Sequence, residues 1–248
     1  MIASLPMYDR PSNAAAHDRL WELIRDALRA RGIKAPDALD RNVGYRASWA
    51  HRDLVLGHIC NLPYRAEYRD CLTRIGTADY GLEGCEPGFY RSVLVVRHDD
   101  PRDRLSALAN ARYAANALHS HSGFAVTHDM AMAAGTALPA PLITGSHDGS
   151  VIAIAEGRAD FATIDQQTWV MQRQDLPEAQ ALRVIGTSAT SPGQSFVTQA
   201  GVDPAPYFDA IQSAIAGLDP ADAERLGLRG IVRLPDSAFD LPLPNVYA

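Results

Sequence analysis

The chain has 248 residues, of which 47% are hydrophobic and 21% are charged. This composition excludes an intrinsically disordered protein and allows one large domain or two of ordinary size. The net charge is −6 and no run of Lys or Arg is present, which excludes a nucleic-acid-binding face of the usual kind. No apolar run approaches the roughly 20 residues of a membrane-spanning helix, so we expect no membrane insertion.

The N-terminus and the cysteines leave the cellular compartment open. Residues 1–6 lack the charged segment and long apolar core of a signal peptide. The protein is therefore expected to be cytoplasmic, or periplasmic if a leader was removed. Cys60, Cys71 and Cys85 contain no Cys-x-x-Cys pair, which argues against a zinc site. They fit one disulfide plus a free thiol in an exported protein, or three reduced thiols in the cytoplasm.

The first half of the chain alternates short apolar runs with helical patterns. A cap at Ser12 or Asn13 predicts a helix that runs to Arg31, with apolar residues at helical spacing along one side. Pro63 is expected to open a further short helix. Strands are predicted at residues 2–5, 53–57, 72–76 and 92–96.

The second half continues the alternation. Strands are predicted at residues 111–115, 139–144, 160–164 and 182–185. Helices are predicted at residues 124–134, 150–156, 166–173, 206–216 and 220–226. Residues 187–195 are rich in Ser, Thr, Pro and Gly and predict a loop, and the proline-broken tail at 241–248 is expected on the surface. Strands that alternate with helices in this way predict parallel sheets with helices on both faces.

Several polar residues directly follow predicted strands. In parallel sheets, ligands bind beyond the carboxyl ends of the strands, so side chains at those positions are expected to converge on one cleft. The residues concerned are Tyr8, His58, Ser120, Ser122, His147 and Asp165.

The stretch 116–123, Asn-Ala-Leu-His-Ser-His-Ser-Gly, joins a predicted strand to a predicted helix. The first backbone N–H groups of a helix have no intrahelical partner and carry the positive end of its dipole. Small residues such as Gly123 let an anion approach, and hydroxyls add donors, which is the chemistry of a phosphate-like site. The alternative is that Ser120 or Ser122 is only a helix N-cap.

Two further patterns favour neither an enzyme nor a metal protein. Residues 145–149, Gly-Ser-His-Asp-Gly, contain Ser, His and Asp, but adjacent residues cannot assemble a catalytic triad and no Gly-x-Ser-x-Gly is present. His119 and His121, with His128 and His147, form only a weak metal pattern because no acid or thiol accompanies them at a typical spacing. We therefore expect no catalysis, no metal and no cofactor.

His147 and Asp165 each allow two interpretations. His147 is either a residue of a capped turn or a donor to an anionic oxygen. Asp165 is either the N-cap of the next helix or an acceptor for an ammonium group or a protonated ligand oxygen.

A series of patterns occurs in a fixed order along residues 2–232. The segment 53–64, Asp-Leu-Val-Leu-Gly-His-Ile-Cys-Asn-Leu-Pro-Tyr, is followed by Tyr90-Arg-Ser-Val-Leu-Val-Val and by Ser120-His-Ser-Gly123. His147-Asp-Gly-Ser-Val, Glu156-Gly-Arg-Ala-Asp, Asp165 and Ser188-x-x-x-Pro192 complete the series. Together they resemble the PhnD-like phosphate, phosphite and phosphonate substrate-binding proteins of ABC transporters.

The resemblance implies a type II periplasmic-binding-protein fold. Such an α/β protein has two lobes, each a mostly parallel sheet flanked by helices, with two crossing strands as the hinge. Lobe 1 is expected at residues 1–92 plus 187–248, and lobe 2 at residues 93–186. The implied partners are a small anionic ligand and an ABC transporter permease, with the protein acting as a monomer.

The resemblance also implies roles for individual residues. Phosphoryl oxygens would be held by Ser120, the backbone N–H of His121, Ser122 and His147, while Tyr8 and Tyr64 reach in from lobe 1 and Asp165 recognises the other end of the ligand. The chain departs from the family at His121, where Thr is usual, and at residues 58–61. The resulting hypothesis is capture of a phosphorus oxyanion for uptake. The alternative is an enzyme of cofactor-precursor synthesis, or a cytoplasmic sensor, on the same fold.

Overall fold

A computed structural model describes residues 1–244, and the chain divides into two compact units. Unit 1 comprises Met1–Phe89 and Pro192–Asp240, and unit 2 comprises Tyr90–Ser191 together with the segment that begins at Leu241. The main chain thus leaves unit 1 at residues 89–90 and returns to it at residues 191–192. The lobe boundaries expected from the sequence, at 92/93 and 186/187, stay a prediction.

The strands are short and are distributed over the whole described chain. In chain order they are β1 (Ile2–Ser4), β2 (Leu54–Ile59), β3 (Leu72–Asp79), β4 (Phe89–Tyr90), β5 (Ser92–Arg97), β6 (Tyr113–Ala115), β7 (Leu142–Ile143), β8 (Phe161–Asp165), β9 (Leu182–Thr187), β10 (Ser191–Pro192), β11 (Ser195–Gln199) and β12 (Gly230–Val232). The strongly apolar run predicted at 92–96 is confirmed as β5, whose residues Ser92 to Val96 are all buried.

The α-helices are α1 (Ala14–Ala30), α2 (Tyr45–Trp49), α3 (Asn61–Pro63), α4 (Val126–Ala133), α5 (His147–Ala155), α6 (Gln166–Asp175), α7 (Ala205–Ala216) and α8 (Pro220–Leu226). Shorter 3₁₀ or π turns lie at Tyr64–Tyr68, Leu105–Leu108, His121–Ala125, Pro177–Ala181 and Asp236–Phe239. Across residues 1–244, none of the helices combines the length and the apolarity that crossing a bilayer requires.

Unit 1 is built on a five-stranded sheet of order β1-β2-β11-β3-β12. The apolar stripe of α1 is buried as predicted, with Trp21 and Ile24 in the same hydrophobic core as Phe208 and Ile211 of α7. Burial of such large side chains contributes roughly 1.5–3 kcal/mol each. The stripe therefore fixes α1 and α7 on the sheet.

Unit 2 has a second five-stranded sheet, of order β7-β6-β8-β5-β9. Strands β6, β7 and β8 are parallel neighbours, whereas β5 runs antiparallel to β8 and β9. Apolar side chains fill both faces of this sheet, with Val95 and Ile164 in one cluster and Val96 and Phe161 in the other. Parallel strands place their carboxyl ends at one edge, which is where the loops after β6 and β8 begin.

Both sheets are mixed. In each sheet, a strand that follows a crossing of the main chain from one unit to the other is antiparallel to the strands beside it. Strand β5 enters unit 2 just after residues 89–90, and β11 enters unit 1 just after residues 191–192. Strand β11 is antiparallel to both β2 and β3. Most of the remaining strands in each described sheet point the same way, in keeping with the mostly parallel arrangement that the resemblance implies.

The elements α2, β4, β10, β11 and β12 were not predicted, and β10 falls within residues 187–195, where a loop was expected. Strand β11 carries Ser195 and Thr198 inside a buried segment, so its pattern is neither alternating nor continuously apolar. Helix α2 has only five residues, too few to show helical periodicity. In addition, the helix predicted at 124–134 is preceded by a π turn that starts at His121, and the helix predicted at 150–156 starts at His147. Both earlier starts lie at the predicted anion site.

Candidate functional site in unit 2

The chain that follows β6 turns directly into the helical segment His121–Ala125. Ser120 precedes it, and the Ser120 hydroxyl accepts a hydrogen bond from the backbone N–H of Gly123 at 3.1 Å. The capping alternative is therefore confirmed for Ser120, whereas Ser122 lies inside the turn. Ser120, His121 and Ser122 are only 5%, 2% and 3% exposed. We call Ser120–Gly123, residues 120–123, the anion loop.

Ser122 meets a residue from a second helix start. Its Oγ lies 2.8 Å from Nε2 of His147, which is the first residue of α5. Ser146 caps α5, since its Oγ accepts from the N–H of Gly149 at 2.9 Å. Two capped helical starts are thus joined by a serine–histidine hydrogen bond. Helix N-termini with added hydroxyl and imidazole donors favour a negatively charged ligand.

Burial sets the charge of His147. Desolvation lowers the pKa of its imidazole, and the nearby carboxylates of Asp165 and Asp148 oppose that effect only in part. Within residues 1–244, the buried Nδ1 of His147 has no hydrogen-bond partner. At neutral pH the imidazole is therefore neutral. A bound anion would stabilise the imidazolium and raise this pKa.

Two buried hydroxyls hold the anion loop in place. The backbone carbonyl of Ser122 accepts from Ser92 Oγ at 3.0 Å and from Thr163 Oγ1 at 2.8 Å. Ser92 and Thr163 are 0% and 1% exposed. Sequence reasoning missed both residues, although a hydroxyl inside each of two apolar strands was a usable signal. A buried hydroxyl needs a partner, and here that partner is the loop.

The imidazole of His121 contacts residues at both ends of the main-chain segment that forms unit 2. Its Nε2 lies 2.9 Å from Oγ of Ser191, and its ring centroid is 6.1 Å from that of Tyr90. The imidazole is thus engaged with a residue next to the passage between units. The backbone N–H of His121 remains the group to which the resemblance gives a role.

Asp165 ends β8 and starts α6. Its carboxylate accepts from the N–H of Thr168 at 2.9 Å, which confirms the N-cap interpretation, and the residue is 1% exposed. Asp165 pairs across the sheet with Ser92, whose hydroxyl donates to the carbonyl of Ser122, and the Asp165 carboxylate opposes the lowering of the His147 pKa. Unit 2 therefore brings the anion loop, His147 and Asp165 into one neighbourhood.

Unit 1 places Tyr8 and His58 near each other in its interior. Their ring centroids are 6.1 Å apart, and the His58 ring stacks on Phe196 at 4.7 Å. Tyr8 and His58 are 4% and 3% exposed. Burial, reinforced by His17, lowers the pKa of His58 to about 3. His58 is thus neutral in the folded protein, and the ligand-binding roles of Tyr8 and His58 stay predictions.

Tyr64 packs in a different apolar cluster of unit 1. Its ring meets that of Phe239 edge-on at 5.6 Å, and it is 5% exposed. These are the contacts of a core residue, and a role in ligand binding stays a prediction for Tyr64 as well.

The histidines and cysteines form no metal site in the described part of the chain. Residues 1–244 contain no group of three or more His, Cys, Asp or Glu that could hold a metal ion. Cys60, Cys71 and Cys85 form no disulfide within residues 1–244. The site therefore consists of hydroxyls, imidazole and helix-terminal N–H groups.

Comparison with protein families identifies a family for this chain. Residues 72–238, more than half of the chain, match the family described as an ABC transporter, phosphonate, periplasmic substrate-binding protein. Comparison with curated protein sequences gives no match. The family is one of binding proteins and not of enzymes, in line with the expectation from the sequence.

Solved structures of distant sequence share the fold. PhnD1 from Prochlorococcus marinus, in complex with methylphosphonate, has a TM-score of 0.72 at 16% identity, covering 96% of this chain and 94% of that one. XAC2383 from Xanthomonas citri, bound to chloride, has a TM-score of 0.68 at 18% identity, with coverages of 96% and 92%. A binding protein component of an ABC phosphonate transporter, PA3383 from Pseudomonas aeruginosa, has a TM-score of 0.66 at 18% identity, with coverages of 96% and 82%.

These likenesses confirm the type II periplasmic-binding-protein fold, and the family match confirms the resemblance drawn from the motifs. The chain belongs to the phosphonate-binding family of periplasmic substrate-binding proteins of ABC transporters.

Proposed function

We propose that this family member captures the phosphoryl end of a small phosphorus oxyanion, whether phosphate, phosphite or a phosphonate, at the anion loop of unit 2. The observation that carries the proposal is the 2.8 Å contact between Ser122 Oγ and His147 Nε2, made where two helical segments begin. A net charge of −6 repels anions at long range. Local helix-terminal donors counter that field at contact distance.

In this proposal each loop residue has a distinct role. The hydroxyls of Ser120 and Ser122, the backbone N–H of His121 and the imidazole of His147 donate to phosphoryl oxygens, and Gly123 lets the ligand approach. Asp165 accepts from the other end of the ligand. Tyr8, His58 and Tyr64 of unit 1 complete the proposed set.

Membership of the family implies a small ligand and a membrane permease as partners. We propose further that the ligand is anionic, that the protein acts as a monomer in the periplasm, and that it has no nucleic-acid partner.

Calorimetry with phosphate, phosphite, methylphosphonate and 2-aminoethylphosphonate tests the proposal. We expect saturable 1:1 binding of at least one of them at neutral pH, with sulfate as the comparison anion. If none of the four binds while an organic acid or a metal ion does, the proposal is wrong. Turnover of any ligand would favour the enzyme alternative instead.

Gly123→Ala is expected to weaken ligand binding. A Cβ at Gly123 would lie 1.9 Å from Asn116 Oδ1 and 3.1 Å from His147 Cε1, so both side chains must shift. A displaced hydrogen bond to a charged group costs roughly 1.5–3 kcal/mol, about tenfold or more in affinity for methylphosphonate. Gly186→Ala, where a Cβ meets no atom within 4 Å, is the matched control. Equal affinities in titrations of the two variants would contradict the expectation.

A further inference from the structure

Two buried polar atoms beside the anion loop lack hydrogen-bond partners in the described part of the chain. One is Oδ1 of Asn116, the residue that follows β6, and the other is Nδ1 of His147. Buried polar atoms are nearly always paired in native proteins. Neither atom belongs to the set that the proposed function uses, so each needs a separate explanation.

Both side chains border the same glycine. The position of a Cβ on Gly123 lies 1.9 Å from Asn116 Oδ1 and 3.1 Å from His147 Cε1, the ring carbon between Nδ1 and Nε2. The absence of a side chain at residue 123 therefore makes the room in which the carboxamide and the imidazole approach each other. Because the two unpaired atoms share one neighbourhood, one rearrangement can satisfy both.

The serine hydroxyl decides which histidine nitrogen should carry the proton. A neutral imidazole has one N–H donor and one acceptor nitrogen. If Nε2 carries the hydrogen, it donates to Ser122 Oγ, and the hydroxyl hydrogen of Ser122 is left for an anion. If Nδ1 carries it, Ser122 must donate to Nε2 and presents only lone pairs to the ligand. Of the two neutral tautomers, the Nε2–H form therefore leaves the Ser122 hydroxyl hydrogen free for an anion, and the same Nε2–H can be shared between Ser122 Oγ and a phosphoryl oxygen.

In the Nε2–H form, Nδ1 is an acceptor and needs a donor. The carboxamide of Asn116 supplies one after a half-turn about its terminal bond, since its oxygen and nitrogen are similar in size and position. After that half-turn, Nδ2 occupies the place of Oδ1 and faces the imidazole. One N–H···N hydrogen bond between the carboxamide and Nδ1 would then satisfy both unpaired buried positions.

We propose that Asn116 is a positioning residue: its carboxamide donates to Nδ1 of His147, holds the Nε2–H tautomer and so directs the Ser122 hydroxyl towards the bound anion. This inference rests on the proposed function for the use of the hydroxyl. The tautomer itself is a property of the ligand-free protein. Asn116 acts through His147 and need not touch the ligand.

Nitrogen-15 NMR of the histidine-labelled, ligand-free protein at pH 8 tests the inference. The His147 signals are assigned by their loss in His147→Gln. We expect the wild-type protein to show Nε2 protonated and Nδ1 unprotonated. Asn116→Asp, whose carboxylate can only accept, is expected to move the proton to Nδ1. Asn116→Leu is expected to give a mixture of the two tautomers.

Affinity provides the second readout. Asn116→Leu is expected to bind methylphosphonate roughly fivefold to tenfold more weakly, the range of one neutral hydrogen bond, while Asn110→Leu, which changes an exposed asparagine of unit 2, binds as wild type does.

A wild-type His147 protonated on Nδ1 overturns the inference even if the variants fail to fold. An unchanged tautomer in both Asn116 variants does so too. Failure of wild-type protein to bind any of the four phosphorus ligands would instead defeat the proposed function and leave the tautomer measurement valid.

Discussion

Acidification from pH 7 to pH 4.5 is expected to lower the unfolding free energy of unit 1 by roughly 2–3 kcal/mol through His58 alone. His58 is 3% exposed and stacked on Phe196, and its buried Nε2 has no hydrogen-bond partner within residues 1–244. Burial, with a smaller contribution from His17, lowers its pKa to about 3. Protonation must therefore occur mainly in the unfolded chain.

The sign of the effect follows from the two pKa values. An unfolded histidine titrates near about 6.5, and His58 titrates near about 3 when folded. Between these values the unfolded state binds the extra proton. The contribution of His58 is therefore fully present above about pH 6.5 and is lost as the pH falls towards 3, at about 1.4 kcal/mol per pH unit.

The measurement uses the positions of the tryptophans. Trp21 and Trp49 are 1% and 2% exposed in unit 1, and Trp169 lies in unit 2. In a Trp169→Phe background, tryptophan fluorescence during urea unfolding therefore reports on unit 1. His58→Phe, which keeps a flat ring against Phe196, is expected to retain its stability at pH 4.5 better than the parent by roughly 2–3 kcal/mol.

Unit 1 contains a second buried histidine, His17, which also contributes to its acid sensitivity, so a control variant is needed. Burial also lowers the pKa of His17, against the opposing effect of Asp9, so some acid sensitivity remains in His58→Phe. His98→Phe changes an exposed histidine of unit 2 and should leave the acid sensitivity of unit 1 as it is in the parent. If His58→Phe and the parent lose equal stability between the two pH values, His58 is not the buried neutral group described above.

Much of the fold was predictable because long elements carry strong local patterns. The stripe of α1 and the apolar run of β5 each identify their element without tertiary information. Strand β11 could not be found in this way. It lies between β2 and β3 and is buried with Ser195 and Thr198 in it, so its stability comes from pairing with strands more than a hundred residues earlier.

The candidate site was predictable as a set of positions and not as a set of contacts. The rule that ligands bind at the carboxyl ends of parallel strands selects Ser122, His147 and Asp165, and unit 2 does bring these residues together. The contact between Ser122 and His147 depends on the pairing of β6 with β7, the strands that precede them, and no local pattern encodes that pairing. The hydroxyls of Ser92 and Thr163 were visible inside apolar strands, but their common partner, the carbonyl of Ser122, depends on strand order as well.

Ser122→Ala is expected to weaken methylphosphonate binding by roughly 10- to 100-fold. Its hydroxyl is the one group of the anion loop that is hydrogen bonded to His147 and not used as a cap. A hydrogen bond to a charged ligand contributes roughly 1.5–3 kcal/mol, and each 1.4 kcal/mol corresponds to about tenfold in affinity. The backbone carbonyl of Ser122, which anchors the loop to Ser92 and Thr163, is unchanged by the substitution.

Comparison with Ser120→Ala separates binding from support of the loop. Ser120 Oγ accepts from the N–H of Gly123, so its removal costs roughly 0.5–2 kcal/mol of stability as a lost cap, in addition to any loss of affinity. Ser122→Ala should lose affinity with little change in its thermal unfolding, and Ser213→Ala, on an exposed face of α7, should change neither. Calorimetric titration of the three variants measures the change in affinity, and thermal unfolding measures the change in stability. If the affinity of Ser122→Ala is within twofold of wild type, the Ser122–His147 pair does not bind the ligand. Loss of a hydrogen-bond donor to a charged oxygen would lower the affinity by more than that.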